Sequence, residues 1–259
     1  DDDIVDLILG EVDGRLEMRD EPEALLPHGV DLPGEMPREM PLRDAQRAIR
    51  LVGAEPVTLW HGDHDLQGVD AIVLPGGFSY GDYLRCGAIA ALSPIMTEVK
   101  DAAAKGMPIL GICNGFQALV KSGLLPYGRL GLVTKESPTL FRNDINRHVS
   151  QIVSTRVATT NSPWLSSFSV GDIHSIAVSH GEGKFVVNEP LARELFENGQ
   201  VAFQYVDAEG RVTAEAPYNP NGSYYAIEGI VSRDGQILGK MGHTERYGEN
   251  LFKNIAGEK

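Results

Sequence analysis

Thiols are scarce in this chain: Cys86 and Cys113 are the only two in 259 residues. That excludes a disulfide framework and any Cys-rich zinc site. Positive charge is scarce as well, with 23 Lys and Arg against 36 Asp and Glu, a formal net charge of −13. Nonspecific binding to nucleic acid or to anionic membranes needs basic patches, so neither is an expected partner. No apolar run approaches the roughly 20 residues that span a bilayer. The chain opens on Asp1-Asp2-Asp3, unlike the basic start of a signal peptide, and a cytoplasmic location is expected. Internal repeats and low-complexity tracts are missing too. His61, His64, His148 and His174 show no metal-ligand spacing and read as surface or packing residues, so no metal site is expected.

What remains is a chain long enough for one large α/β domain or two small ones. Residues 1–43 are acidic and Pro-rich, with Pro33, Pro37 and Pro41 favouring an extended linker or the tail of a preceding domain. The one apolar run there, Ile4 to Leu9, would need about thirty irregular residues before the next helix, which is unusual in a compact domain. From residue 44 onward, helices alternate with short apolar strands. Asp44–Val52 reads as a helix stopped by Gly53, and Ala88–Ala104 as a second. Pro56–Trp60, Ala71–Leu74 and Met107–Ile112 read as strands. This alternation predicts a mainly parallel sheet covered on both faces. Beyond about residue 150 the pattern turns β-rich, with strands predicted at 151–158, 173–179, 184–187, 200–206, 224–231 and 236–240. A helix is predicted over 191–198.

Three short motifs carry chemistry. In Pro108-Ile-Leu-Gly-Ile-Cys-Asn-Gly-Phe-Gln117, a thiol stands between a strand and a helix. Such a turn lifts a nucleophile clear of the sheet, and the helix start favours a thiolate. A free cysteine is otherwise often an inert core residue, but ordinary packing does not need a Gly before it and an Asn-Gly after it. Leu74-Pro-Gly-Gly-Phe-Ser-Tyr-Gly-Asp82 also follows a strand, at the same sheet edge. Its backbone N–H groups suit an oxyanion hole, with Gly77 and Asn114 as donors. A plain turn is the alternative; a phosphate loop lacks the Lys-Ser/Thr it needs. In Gly239-Lys-Met-Gly-His-Thr-Glu-Arg246, an extended segment would put His243 and Glu245 on one face, as base and orienting acid. Val178-Ser-His-Gly-Glu-Gly183 offers a second pair at the same spacing, so Cys113-His180-Glu182 is an alternative triad. Cys86 reads as a neighbour of the Gly-rich loop.

Taken together, the motifs resemble the class I, triad-type glutamine amidotransferases. Within them they are most similar to the glutaminase of phosphoribosylformylglycinamidine synthase, the fourth enzyme of purine biosynthesis. Val178–Gly183, Gln204–Asp207 and Asn219–Ser223 extend the likeness, which covers about residues 44–256. The resemblance implies a three-layer, flavodoxin-like α/β domain over 44–259 with extra β segments in its C-terminal half. It implies that Cys113 attacks the amide carbon of L-glutamine, that His243 is the base and that Glu245 orients it. A cysteinyl thioester would release ammonia and then glutamate. Gly76, Phe78, Gln117, Asn143 and His180 become candidate substrate-binding residues, with His180 also suited to the face toward a synthase. No cofactor is expected in this chain. ATP and Mg²⁺ belong to a synthase partner or domain, which would convert formylglycinamide ribonucleotide to the amidine. Another triad hydrolase, an amidase or peptidase, and a catalytically silent domain are the alternatives. In one departure from the family, the usual first strand and loop are not recognisable before the helix at Asp44.

Overall fold

A computed structural model describes residues 7–11, 40–77, 90–128 and 133–246. Phe78 and Cys86 lie outside the described residues. In chain order the elements are β1 (Leu7–Glu11), α1 (Met40–Leu51), β2 (Glu55–Leu59), β3 (Ala71–Leu74), α2 (Ile95–Ala104), β4 (Ile109–Ile112), α3 (Asn114–Lys121), β5 (Thr139–Phe141), β6 (Val149–Val157), β7 (Ile173–His180), β8 (Lys184–Val186), α4 (Glu189–Glu197), β9 (Val201–Val206), β10 (Ile227–Val231) and β11 (Ile237–Lys240).

Among the described residues, nine strands form one sheet in the order β2-β1-β3-β4-β11-β10-β9-β6-β7, and β5 pairs with β8 apart from it. The α/β architecture with helices on both faces is as expected. Parallel pairing is concentrated at the centre, β3 with β4 and β4 with β11. The outer pairs are antiparallel, from β11–β10 through β9 and β6 to β7. The link 232–236 shows why: so short a connection joins antiparallel neighbours, whereas a parallel crossover needs a dozen residues or more. β1 fills the slot between β2 and β3 and runs against both, Leu9 pairing with Val57 and with Ile72. Leu7–Glu11 therefore enters the sheet, where neighbours on both sides meet its backbone hydrogen-bonding groups.

The strands divide their side chains between two cores. In β3, Ile72 and Leu74 join Ile109 of β4 in the larger core, against Ile95, Met96 and Val99 of α2 and Phe116 and Leu119 of α3. Val73 points the other way, into a smaller cluster with Ala45 and Ile49 of α1. This alternation is the period-2 signature of a sheet buried on both faces. α2 starts at Ile95, later than the sequence pattern implies, because Pro94 cannot donate within a continuing helix and serves as its N-cap. α4 starts where Asn188 caps it, its side chain accepting from the Leu191 N–H at 2.9 Å. The antiparallel wing curls back over the centre, so that the end of β7 meets the residues following β4 and β11. The backbone N–H of His243, just past β11, donates to the carbonyl of Ala177 in β7 at 2.8 Å.

Candidate active site

Cys113 is the hinge residue between β4 and α3. Its backbone stands at φ 52°, ψ −107°, a region that costs a non-glycine residue about 1–3 kcal/mol. Two bonds hold it there: its N–H donates to Lys240 O at 2.8 Å, and its carbonyl accepts from Gln117 N–H at 3.1 Å. The thiol is buried, and Sγ donates to the Ser179 carbonyl at 3.7 Å. The Gly115 that follows has a packing reason. A Cβ there would lie 2.0 Å from the Leu74 carbonyl oxygen, so only glycine lets the helix start rest on the end of β3.

His243 and Glu245 lie together, both buried. His243 Nδ1 and Glu245 Oε1 are 2.5 Å apart, while His243 Nε2 is buried with no hydrogen-bond partner. The carboxylate therefore holds one ring nitrogen and leaves the other available. The local structure differs from the extended segment read from the sequence: Thr244–Arg246 is a 3₁₀ turn, which folds the carboxylate back onto the ring. Burial opposes the Glu245 charge, but the adjoining His243, through charge and hydrogen bond, brings its pKa below the usual value. Gly76 separates base from thiol. A Cβ on it would lie 2.7 Å from His243 Cε1 and 3.3 Å from Cys113 Cβ. Ring and thiol thus flank one backbone position that has no room for a side chain.

The two expected oxyanion donors are neighbours, since Asn114 Nδ2 donates to the Gly77 carbonyl at 2.7 Å. That bond fixes the peptide leaving Gly77 against the start of α3. Gln117, one turn further along, donates from Nε2 to the Glu182 carbonyl at 2.8 Å. Asn143 is occupied with backbone: Nδ2 donates to Arg147 O at 3.0 Å and His180 O at 2.8 Å, and Oδ1 accepts from Gly183 N–H at 3.1 Å. It shapes the 180–183 loop, which follows the Ser179 that meets the thiol.

His180 is 0 % exposed, which removes it from any protein face. Its Nε2 lies 3.1 Å from Asn221 Nδ2, and its Nδ1 is buried without a partner. Burial first, then the nearby His243 and His148, push its pKa down to about 3, so the ring is neutral. The Glu182 carboxylate approaches Arg142 at 3.9 Å. In the Cys113-His180-Glu182 alternative it would instead bond His180. Sequence reasoning also missed two buried charged residues beside the site, Glu228 in β10 and Lys240 in β11. The available signal was an acid and a base, each within an otherwise apolar strand. Burial pushes Glu228 up and Lys240 down in pKa, and each partly offsets the shift of the other.

Among the described residues, no group of three His, Cys, Asp or Glu could hold a metal ion, and no helix is long and apolar enough to cross a membrane. The arrangement is therefore a strained thiol, an oriented imidazole and a backbone loop, a set suited to acyl transfer.

Comparison with known proteins shows the family. Residues 41–259 match the family of CobB/CobQ-like glutamine amidotransferase domains. The chain is 49% identical over 210 residues to the phosphoribosylformylglycinamidine synthase subunit PurQ of Leifsonia xyli, covering 81% of this chain and 82% of the relative. To the same subunit of Chlorobaculum tepidum it is 48% identical over 207 residues, covering 80% and 83%. Among solved structures, PurLQS from Thermotoga maritima contains a chain that superposes with a TM-score of 0.64 at 33% identity, covering 81% of this chain and 84% of that one.

Proposed function

This chain belongs to the CobB/CobQ-like glutamine amidotransferase domain family, and on that premise we propose that it is the glutaminase of phosphoribosylformylglycinamidine synthase. It hydrolyses L-glutamine to glutamate and ammonia. The ammonia serves the conversion of formylglycinamide ribonucleotide to formylglycinamidine ribonucleotide in purine biosynthesis. The relatives at 46–49% identity bear that subunit's name, and their match covers most of both chains. ATP and Mg²⁺ act in the synthase partner, and residues 44–259, with β1 inserted into their sheet, form the amidotransferase unit.

The observation that carries the residue roles is the unpartnered Nε2 of His243. A buried polar nitrogen without a bond costs stability, and here it belongs to a ring oriented by Glu245 and flanking Gly76 with Cys113. Nε2 takes the Cys113 proton as Sγ attacks the amide carbon of glutamine, and the carbonyl electrons move onto oxygen. The Gly77 and Asn114 N–H groups receive that oxyanion. As the oxyanion collapses, the C–N bond breaks, His243 returns the proton to the departing nitrogen, and ammonia leaves a glutamyl thioester. Water then adds with His243 as base. The second oxyanion collapses, the thiol is re-formed and glutamate departs. Gly76, Gln117, Asn143 and His180 shape the wall around the substrate, and Phe78 is a further candidate for contact with it.

Glutamate release is the test, measured with and without a synthase partner plus its ribonucleotide and ATP-Mg²⁺. Release that rises with the partner and vanishes in Cys113→Ser supports the reading; an equal rate in both conditions, or an active Cys113→Ser, contradicts it.

A further inference from the structure

Glu228 is an acidic residue in the apolar strand β10, 1 % exposed and absent from the chemistry above. The β10–β11 ladder pairs Gly229 with Lys240, and Met241 N–H still reaches the Glu228 carbonyl at 3.3 Å. At Gly242 the strand has ended, and the side chain of Glu228 takes over: Oε1 accepts the Gly242 N–H at 2.5 Å. The next N–H along, that of His243, donates across to Ala177 O of β7 at 2.8 Å. Two consecutive amides are thus anchored to two different strands, with the Gly242 Cα between them, and together they fix the backbone that leads into His243. Release of the first anchor frees the Met241–Gly242 peptide, so that the chain entering His243 shifts about the remaining bond to Ala177 and carries the ring with it.

Other buried groups at the site are already committed. Asn221 bonds Gly183 O and the Ser223 N–H, bracing the 180–183 loop, and Lys240 lies over the Phe203 ring at 5.1 Å. The Glu228 carboxylate differs because its bonded oxygen acts on the residue adjoining the base.

We propose that Glu228 is a positioning residue for the glutaminase reaction: its carboxylate oxygen continues the β10–β11 ladder to Gly242 and so sets the orientation of His243 toward Cys113. The role needs an acceptor at that point in space. This rests on His243 being the base.

The test uses the full chain with its synthase partner, measuring glutamine hydrolysis in Glu228→Gln, Glu228→Leu and Glu228→Asp, with cooperative melting checked for each. Glu228→Leu removes the acceptor and Glu228→Asp draws it back by one methylene. Both lower kcat by about 10- to 100-fold with KM within about twofold, the scale of an ångström-level misplacement. Glu228→Gln keeps an acceptor oxygen and stays within about threefold of wild type, well short of the loss expected from misplacement. A Leu or Asp variant with wild-type kcat, or a Gln variant as impaired as Leu, overturns the proposal. Should Glu228→Leu fail to melt cooperatively, the comparison of Asp with Gln decides in the same way: loss in Asp with retention in Gln supports the role, and any other result removes it. His243→Ala runs alongside, because an active His243→Ala would bring down the base assignment itself and not merely the part given to Glu228.

Discussion

Cys113 holds a backbone conformation that cysteine adopts only at a cost, and the bonds from Lys240 and Gln117 sustain it. His243 and Glu245 show the same economy, one bond fixing a tautomer and freeing the other nitrogen. Removing the imidazole in His243→Ala is expected to lower glutamine turnover by about 10²- to 10⁴-fold, the usual worth of general acid–base catalysis, while the variant still melts cooperatively. His180 leaves its mark on the pH dependence of stability. Its pKa is about 3 in the fold against 6.5 for the free group, so between those values the unfolded chain binds the proton that the folded chain refuses. Stability therefore rises with pH across that window and falls as pH drops from 6.5 toward 3. His180→Gln should flatten this part of the acid limb in denaturant midpoints; an unchanged limb would show that another group causes it. Glu245, held below its usual 4.5, contributes stability above 4.5 that is lost as pH falls through its lower folded value. At this scale the sequence was most readable where chemistry needs a short local pattern, as at Cys113, His243 and Glu245. Glu228 escaped it because the partner of its side chain, Gly242, is set by where β11 stops pairing, a long-range fact that no local spacing encodes.

Elements were legible wherever apolar periodicity was unbroken. Ala71–Leu74 coincides with its predicted strand, and the strands ending at Ile112, Val206 and Lys240 end where the pattern does. Difficulties arose where tertiary contacts decide. β5 is three residues long and exists by pairing with β8, and β1 takes a place in the sheet that its separation from α1 conceals. The packing of α3 on β3 gives a direct test at this level. Gly115→Ala sets a methyl 2.0 Å from the Leu74 carbonyl oxygen, and backbone cannot move aside as a flexible side chain would. A loss of about 1–3 kcal/mol is expected, read as a lower denaturation midpoint, whereas an unshifted midpoint would show that α3 is free to move. Asn143→Ala tests the 180–183 loop. It leaves the Gly183 N–H and two carbonyls without their partner, a change expected to cost about 1–3 kcal/mol.

For the whole molecule, the decisive feature is the curled antiparallel wing. β7 lies five places from β4 in the sheet, yet Ser179 meets the thiol and Ala177 holds the base. The site thus exists only when the central parallel strands and the wing are both folded, so its reactivity reports on the entire sheet. Alternation of helices and strands made the α/β class readable, but the wing's return across the site was not, since strand order depends on pairings between distant segments. The claim on which the rest depends is that Cys113 attacks glutamine. Its most direct test is labelling by a glutamine-mimicking electrophile, followed by peptide mapping. The label is predicted to fall on Cys113, to be slowed by added glutamine and to vanish in Cys113→Ser. A label placed elsewhere, or one indifferent to glutamine, would contradict the account.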